Sequence, residues 1–290
     1  MLELIVDDSP DRARPKPPVD ADVQVTAHPD RVGEICAYTY TAEGEHWIDL
    51  PELASFSFTA TGREVTAVPS PGARRDWIDD AYRRTVLPLA LQAQGREVLH
   101  ASAILADGGV VGMCGKSGMG KSTIAYALAR RGYQLWADDA VALAAQDRDV
   151  TALPLPFRVR LKGEAARRFG ERPAAENGLA IIGVEGPQRS PTSLAALLVL
   201  ERAENGSHAA ARLLSPRDAL PILLLHAFFF SEHDTELHRR MVRHYLEVAA
   251  SVPMYELRVE PGMEGLDELC DSVERVLSAG SASMTLSDAR

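Results

Sequence analysis

Lysine is nearly missing from this chain. Of its 31 basic residues only four are Lys (Lys16, Lys116, Lys121 and Lys162), and the other 27 are Arg. A GC-rich coding bias accounts for most of that imbalance, yet Lys116 and Lys121 stand almost side by side. Positive charge is scarce as a whole: 41 acidic residues leave a net charge of −10. A general nucleic-acid partner is therefore excluded, because such binders must neutralise many phosphates. Any phosphate chemistry has to sit in a local site. Cysteine is also rare. Cys36, Cys114 and Cys270 lie far apart, which excludes a disulfide framework and a cysteine metal cluster and suits a reducing cytoplasm. Long apolar runs are absent. The best, Ile222–Phe230, is broken by His226 and falls well short of the ~20 residues that cross a bilayer. The opening MLELIVDDSPDR has no basic stretch followed by an apolar one, so it does not read as a signal peptide, and no membrane partner is expected.

What is present is an ordinary globular composition. The chain is 46% hydrophobic and 25% charged over 290 residues, enough for one large domain or two modest ones. Residues 10–22 are rich in Pro and charge and read as a linker. From Val23 to Val68, short extended segments separated by turn residues predict a β-meander. Residues 1–75 thus read as a β-rich accessory module. Asp76–Ala93 has helical spacing, with an interruption expected at Pro88, so 76–95 reads as a bridging helix. A third region, 96–280, predicts alternating strands and helices. Its strands are Glu97–Leu105, Val110–Cys114, Tyr133–Ala137, a hairpin around Asp147–Asp149, Ser193–Glu201 and Met254–Val259. Its helices are Ser122–Arg131, Lys162–Phe169, one opening at Ser215-Pro216 and carrying an awkward Pro221, Thr235–Ala250 and Leu266–Leu277. Residues 281–290 read as a flexible tail.

Three elements in this region carry chemistry. Gly115–Ser122 (GKSGMGKS) matches G-x-x-x-x-G-K-[ST] between an apolar strand and an amphipathic helix. Glycines let backbone N–H groups turn in around phosphate oxygens, the lysine reaches β- and γ-phosphates, and the hydroxyl can hold Mg²⁺. The helix aims its N-terminal N–H groups at the same anion. Gly115, Lys116, Ser117, Gly118, Met119, Gly120, Lys121, Ser122 and Thr123 are accordingly the candidate nucleotide-binding residues, with Lys116 also open to reading as a solvated side chain. Next, Asp138 and Asp139 end an apolar strand, where one carboxylate can hold Mg²⁺ and the other can take a proton. Neighbours in an extended strand point to opposite faces, so a shared site requires the strand to have turned already. Last, His100 lies on the strand expected to pair with Val110–Cys114. Taken alone, it reads as a core histidine.

Together, LHASAI, GKSGMGKST and RGYQLWADDAVAL resemble the HPr kinase/phosphorylase family, and more closely its short HPr-kinase-like relatives. The resemblance is firm over about residues 97–145 and weaker in PFRVRL (156–161) and NGLAIIGV (177–184); the N-terminal module shows none. It implies an α/β fold shared with phosphoenolpyruvate carboxykinase, a mixed sheet around a P-loop. It also implies transfer of the ATP γ-phosphoryl group to a serine hydroxyl of a peptide or protein. Lys121 would bind β/γ-phosphate, Ser122 and Asp139 would organise Mg²⁺, Asp138 would act as the base (the two Asp roles being exchangeable), and His100 would sit near the γ-phosphate. Glu176-Asn177-Gly178 lacks the Arg that true HPr kinases carry there, which argues against the reverse, phosphorylase reaction and against HPr as acceptor. Relatives also act as tailoring kinases on ribosomally made peptides, lasso peptides included, and the size of this chain suits that role. True HPr kinases are hexamers, so a homo-oligomer is a further partner the resemblance leaves open. A small-molecule kinase on the same scaffold and a non-catalytic nucleotide-binding module are the alternatives.

Other candidates have plainer readings. Glu232–His238, with His226 and His244, matches no standard metal motif and reads as a solvated helix start. Arg160 is a candidate phosphate contact. The paired arginines, Arg130-Arg131 among them, read mostly as solvated faces.

Overall fold

The computed structural model describes all residues except 1, 8, 10–22, 30–32, 147–148, 175–177, 184–189, 204–210, 261 and 288–290. The linker reading of 10–22, the turn of the hairpin at 147–148, and Glu176 and Asn177 therefore lie outside the described residues. The chain forms two compact units. The first is Met1–Val98 with Phe228–Arg243, and the second is Leu99–Ala227 with His244–Arg290. The sequence alone suggested divisions after residues 75 and 95; the helix over 76–95 instead belongs to the first unit.

The first unit is a six-stranded sheet. Its strands are β1 (Glu3–Val6), β2 (Thr26–Pro29), β3 (Ile35–Ala42), β4 (Glu45–Leu50), β5 (Ala54–Phe58) and β6 (Glu64–Pro69). The order is β1-β6-β5-β4-β3-β2, antiparallel throughout except for the parallel pair β1/β6. This is the predicted meander with one parallel strand added at its edge. Helix α1 (Arg75–Ala81) runs through a π turn (Tyr82–Val86) into α2 (Leu87–Ala93). The irregularity comes just before Pro88 rather than at it. A proline has no N–H to give its helical partner, and the wider turn, closed by Leu87 N–H on the Tyr82 carbonyl, accommodates that loss. The segment Phe228–Arg243 joins this unit through hydrogen bonds. Phe230 N–H donates to Gln92 Oε1 (2.7 Å), the Thr39 hydroxyl donates to the Phe230 carbonyl, and Glu232 N–H donates to Thr26 Oγ1 (3.1 Å). The Asp234 carboxylate accepts from Leu237 N–H (2.9 Å), so the acid/His stretch caps a helix. Among the described residues no group of three or more His, Cys, Asp or Glu is placed to hold a metal.

The second unit carries the glycine loop. Strand β7 (Glu97–Leu99) leads into it, followed by β8 (Ala101–Ala106), β9 (Gly109–Gly115), α3 (Lys121–Arg130), β10 (Gln134–Ala137), β11 (Val141–Gln146), β12 (Asp149–Leu153), β13 (Arg158–Lys162), α4 (Gly163–Arg168), β14 (Leu179–Gly183), β15 (Thr192–Arg202), β16 (Arg212–Leu213), α5 (Pro216–His226), α6 (Thr235–Ser251, which belongs to this unit from His244 onward), β17 (Met254–Val259) and α7 (Leu266–Ser287). Its sheet is mixed. β9 is parallel to β15 and antiparallel to β8; β15 is also parallel to β17 and antiparallel to β12; β10 pairs antiparallel with β8. β13 and β14 form a separate hairpin pair. β9 is buried along its whole length, as its unbroken apolar run demands of a strand covered on both faces. Helices α3 and α7 supply Ile124, Leu128, Leu269 and Val273 to one core with Val111, Met113 and Leu198 of the sheet. Arg131, just past α3, reaches Asp271 (2.5 Å) and Glu274 (2.9 Å) of α7, so it ties two helices rather than lying on a purely solvated face. Helix α5 continues through Pro221 without a break in its assignment, and α7 runs to Ser287, past the expected end at Leu277. The stretch 278–287 contains no proline, and the helix passes through Gly280, which by itself would read as a stop signal. Among the described residues no helix is long and apolar enough to cross a membrane.

Candidate functional site

The site grows from the C-terminal end of β9. Gly115 has φ +152, and a Cβ there would lie 3.0 Å from the Leu200 carbonyl oxygen of the neighbouring strand. Only a glycine lets the chain leave the sheet at that point. The loop ends at Gly120, left-handed at φ +90, which caps α3 with its first N–H groups open to the loop. Lys121, the first residue of α3, is 7% exposed, and its Nζ donates to the Gly115 carbonyl at 2.7 Å. The ammonium is thus folded back across its own loop.

The acids reach the loop because the chain turns. β10 stops at Ala137, and Asp139 adopts φ +66, a left-handed conformation that is uncommon outside glycine. That bend removes the alternation that would have sent Asp138 and Asp139 to opposite faces. Asp138 is 5% exposed. It accepts from Ser102 Oγ (2.6 Å), from Arg160 N–H (3.2 Å) and from the Ser122 hydroxyl. Burial, and then the neighbouring Asp139, hold its carboxyl above the usual range, and the serine hydrogen bonds only partly offset them. Asp139 is half-buried.

His100 occupies a bend that splits the expected strand Glu97–Leu105 into β7 and β8. Its Nδ1 donates to the Asp139 carbonyl (3.0 Å), and its backbone N–H donates to the His226 carbonyl (2.7 Å). Burial, and after it the charge of Lys121, keep the imidazole well below its ordinary pKa, so it is neutral at pH 7. Its Nε2 then carries the lone pair. His226, at the end of α5, is 7% exposed and pushed down to about 4 by burial and by Lys121 and Lys116. Cys114, one residue before the loop, is buried with its thiol pushed up to about 12, which makes it inert packing.

A cavity of about 420 Å³ opens beside the loop. Ser117, Gly118, Met119, Gly120 and Thr123 form one wall, and α4, the ends of β15 and β17 and the start of α7 form the rest. Lys121, Ser122, Asp138, Asp139, His100 and His226 are not among its lining residues. The nine loop residues singled out by sequence therefore divide. Five line the cavity, while Ser122 bonds Asp138 and Lys121 folds onto the Gly115 carbonyl.

The structure brings Lys121, Ser122, Asp138, Asp139 and His100 into one cluster. It couples Ser122 to Asp138, where the resemblance implied Ser122 with Asp139. Arg160 reaches the cluster through its backbone N–H, which donates to Asp138. Ser102 and His226 were missed. Ser102 had a signal, since it lies two residues after His100 on a strand and so on one face. His226 had none, because α5 reaches the site from a distant part of the chain.

The donor set suits Mg²⁺. A serine hydroxyl beside a buried carboxylate is a hard oxygen pair, and this ion takes one or two carboxylates and fills its remaining positions with water and phosphate oxygens. No family model and no curated protein matches the chain. Among solved structures it is similar to the Hpr(Ser) kinase/phosphatase from Coxiella burnetii, at 15% identity over 65% of this chain and 96% of that one, with a TM-score of 0.35.

Proposed function

We propose that the chain is an ATP- and Mg²⁺-dependent kinase that transfers the γ-phosphoryl group to a serine hydroxyl of a peptide or protein, a ribosomally made precursor of the lasso kind being one such acceptor. One observation carries this reading. At a strand–glycine loop–helix junction, a buried ammonium, Lys121, lies folded on the loop, and the next residue, Ser122, bonds a buried carboxylate, Asp138. The loop N–H groups and the α3 terminus bind phosphate oxygens, and Lys121 shifts from the Gly115 carbonyl to the β/γ-phosphates. Ser122 and Asp138 would hold Mg²⁺, which would supply neutralisation of charge on the phosphate oxygens. Asp139, less buried than its neighbour, takes the proton from the acceptor. This exchanges the roles that the resemblance gave to the two acids. The serine oxygen bonds to the γ-phosphorus, the bond from that phosphorus to the bridging oxygen breaks, and ADP leaves with the electron pair. His100 holds the Asp139 backbone through Nδ1 and keeps a neutral Nε2 near the transferred group.

The test is incubation with γ-labelled ATP and a panel of serine peptides, HPr and small alcohols, beside Lys121→Ala and Asp139→Asn. Label is expected on a peptide serine and lost in both variants. Label on small alcohols alone would change the acceptor class. ATP binding without transfer to anything would overturn the kinase reading.

A further inference from the structure

The cationic side chains of β13 have no part in the transfer chemistry set out above. Along this strand Val159 and Leu161 are buried in the core, so Arg158, Arg160 and Lys162 take the other face. In register with them on β14 stand Gly183, Ile181 and Leu179. That face of the hairpin holds three cations and no acid, on a chain whose net charge is −10. Among the described residues Arg158 has no ion-pair partner.

Two features choose the ligand. The first is place. The Arg160 N–H donates to Asp138 at 3.2 Å, so β13 passes directly beside the acids. Arg158 lies two residues away on the same face, about 6.5–7 Å farther along the strand. The second is composition. Ile181, opposite Arg160, is 48% exposed, which sets an apolar side chain beside the cations. A guanidinium takes a carboxylate through two parallel N–H bonds. An extended peptide repeats its side chains on one face at the same spacing as β13. A serine held at the acids therefore brings the side chains two residues from it level with this row. Lys162 lines the cavity beside the glycine loop, whereas Arg158 and Arg160 do not.

We propose that Arg158 and Arg160 select the acceptor by binding an Asp or Glu side chain two residues from the serine that is phosphorylated. The acceptor is then an extended acidic peptide segment laid along the outer face of β13, with Ile181 beneath its apolar side chains. The inference rests on the kinase reading and narrows its acceptor class.

Serine peptides blocked at both ends, with Asp, Asn or Lys at both positions two residues from the serine, test it. Binding is read by fluorescence anisotropy and transfer by label from γ-labelled ATP. Wild-type protein is expected to prefer the Asp peptide to the Asn peptide by roughly fivefold, in affinity and in kcat/KM, and to disfavour the Lys peptide. Arg158→Gln should abolish most of that preference without moving the KM for ATP. Arg158→Glu should reverse it in favour of the Lys peptide, a result that a folding defect does not give. Arg217→Gln removes the same charge from an exposed position on α5 and should keep the wild-type preference. Transfer without preference among the peptides, a preference lost equally in Arg217→Gln, or an Arg158→Gln effect confined to ATP would overturn the inference and leave the kinase reading standing. Preferential binding of the Asp peptide that depends on Arg158, with no transfer to any peptide, would keep the acidic-peptide site and overturn the kinase reading. Neither preference nor transfer would overturn both.

Discussion

Glu97 offers the sharpest physical test of this structure. It is fully buried in β7, and neither carboxylate oxygen has a hydrogen-bond partner. Burial pushes its pKa from 4.5 to about 7, against the opposing pull of the Arg240 guanidinium. A carboxyl raised in the folded state binds more protons than the unfolded chain does between those two values. Stability therefore falls as pH rises through this window and levels off above it. The rise from 4.5 to about 7 corresponds to about 3 kcal/mol. Glu97→Gln keeps the shape and removes the titration. Chemical denaturation of both proteins at half-unit steps from pH 4 to pH 8.5 gives the stability difference at each pH. At pH 4 the variant should be equal to the wild type or slightly weaker. By pH 8.5 it should be more stable by about 2–3 kcal/mol. A difference that stays constant within about 0.5 kcal/mol across the range would refute the argument, for it would mean that Glu97 is solvated or paired in the folded chain.

Other outcomes follow from the same structure. Lys121→Met should cut phosphoryl transfer by about 10³-fold while moving stability by no more than about 1 kcal/mol, because the ammonium removed is buried and makes its 2.7 Å bond to a carbonyl of its own loop; a transfer assay beside a melting curve separates the two effects. Ser102→Ala removes the donor 2.6 Å from Asp138 Oδ1, which raises that carboxyl further. The acidic limb of the pH–rate profile should then move to higher pH, and an unmoved limb would detach Asp138 from the reaction. Gly115→Ala places a Cβ 3.0 Å from the Leu200 carbonyl oxygen at φ +152 and should cost about 1–3 kcal/mol in a denaturant titration.

Much of this site was legible because its key parts are local. GKSGMGKS lies on one short segment whose glycines and lysine have fixed jobs, and the apolar strand and amphipathic helix around it could be read directly. The pair Asp138-Asp139 was equally visible. What could not be read was how the two share a site, since that depends on the left-handed turn at Asp139, a conformation no composition rule assigns to aspartate. The coupling of Ser122 to Asp138 follows from the same turn. The break at His100 was hidden because Glu97–Leu105 has no Gly, Pro, Asn or Asp to signal a turn. His226 was hidden for a different reason. Its place depends on where a distant helix ends, and a lone histidine in an apolar run looks like packing. The division into units was obscured by Phe228–Arg243, which returns to the first unit after the second has begun.

The scarcity of lysine has a practical consequence. Lys116 lies exposed in the loop, Lys121 is buried behind it, and Lys162 is exposed at the cavity wall, so three of the four side-chain amines border one site. Amine-reactive footprinting is usually blurred by scattered surface lysines. In this protein the surface cations are almost all arginine, and acylation with mass mapping reads the neighbourhood of a single loop against nearly no background.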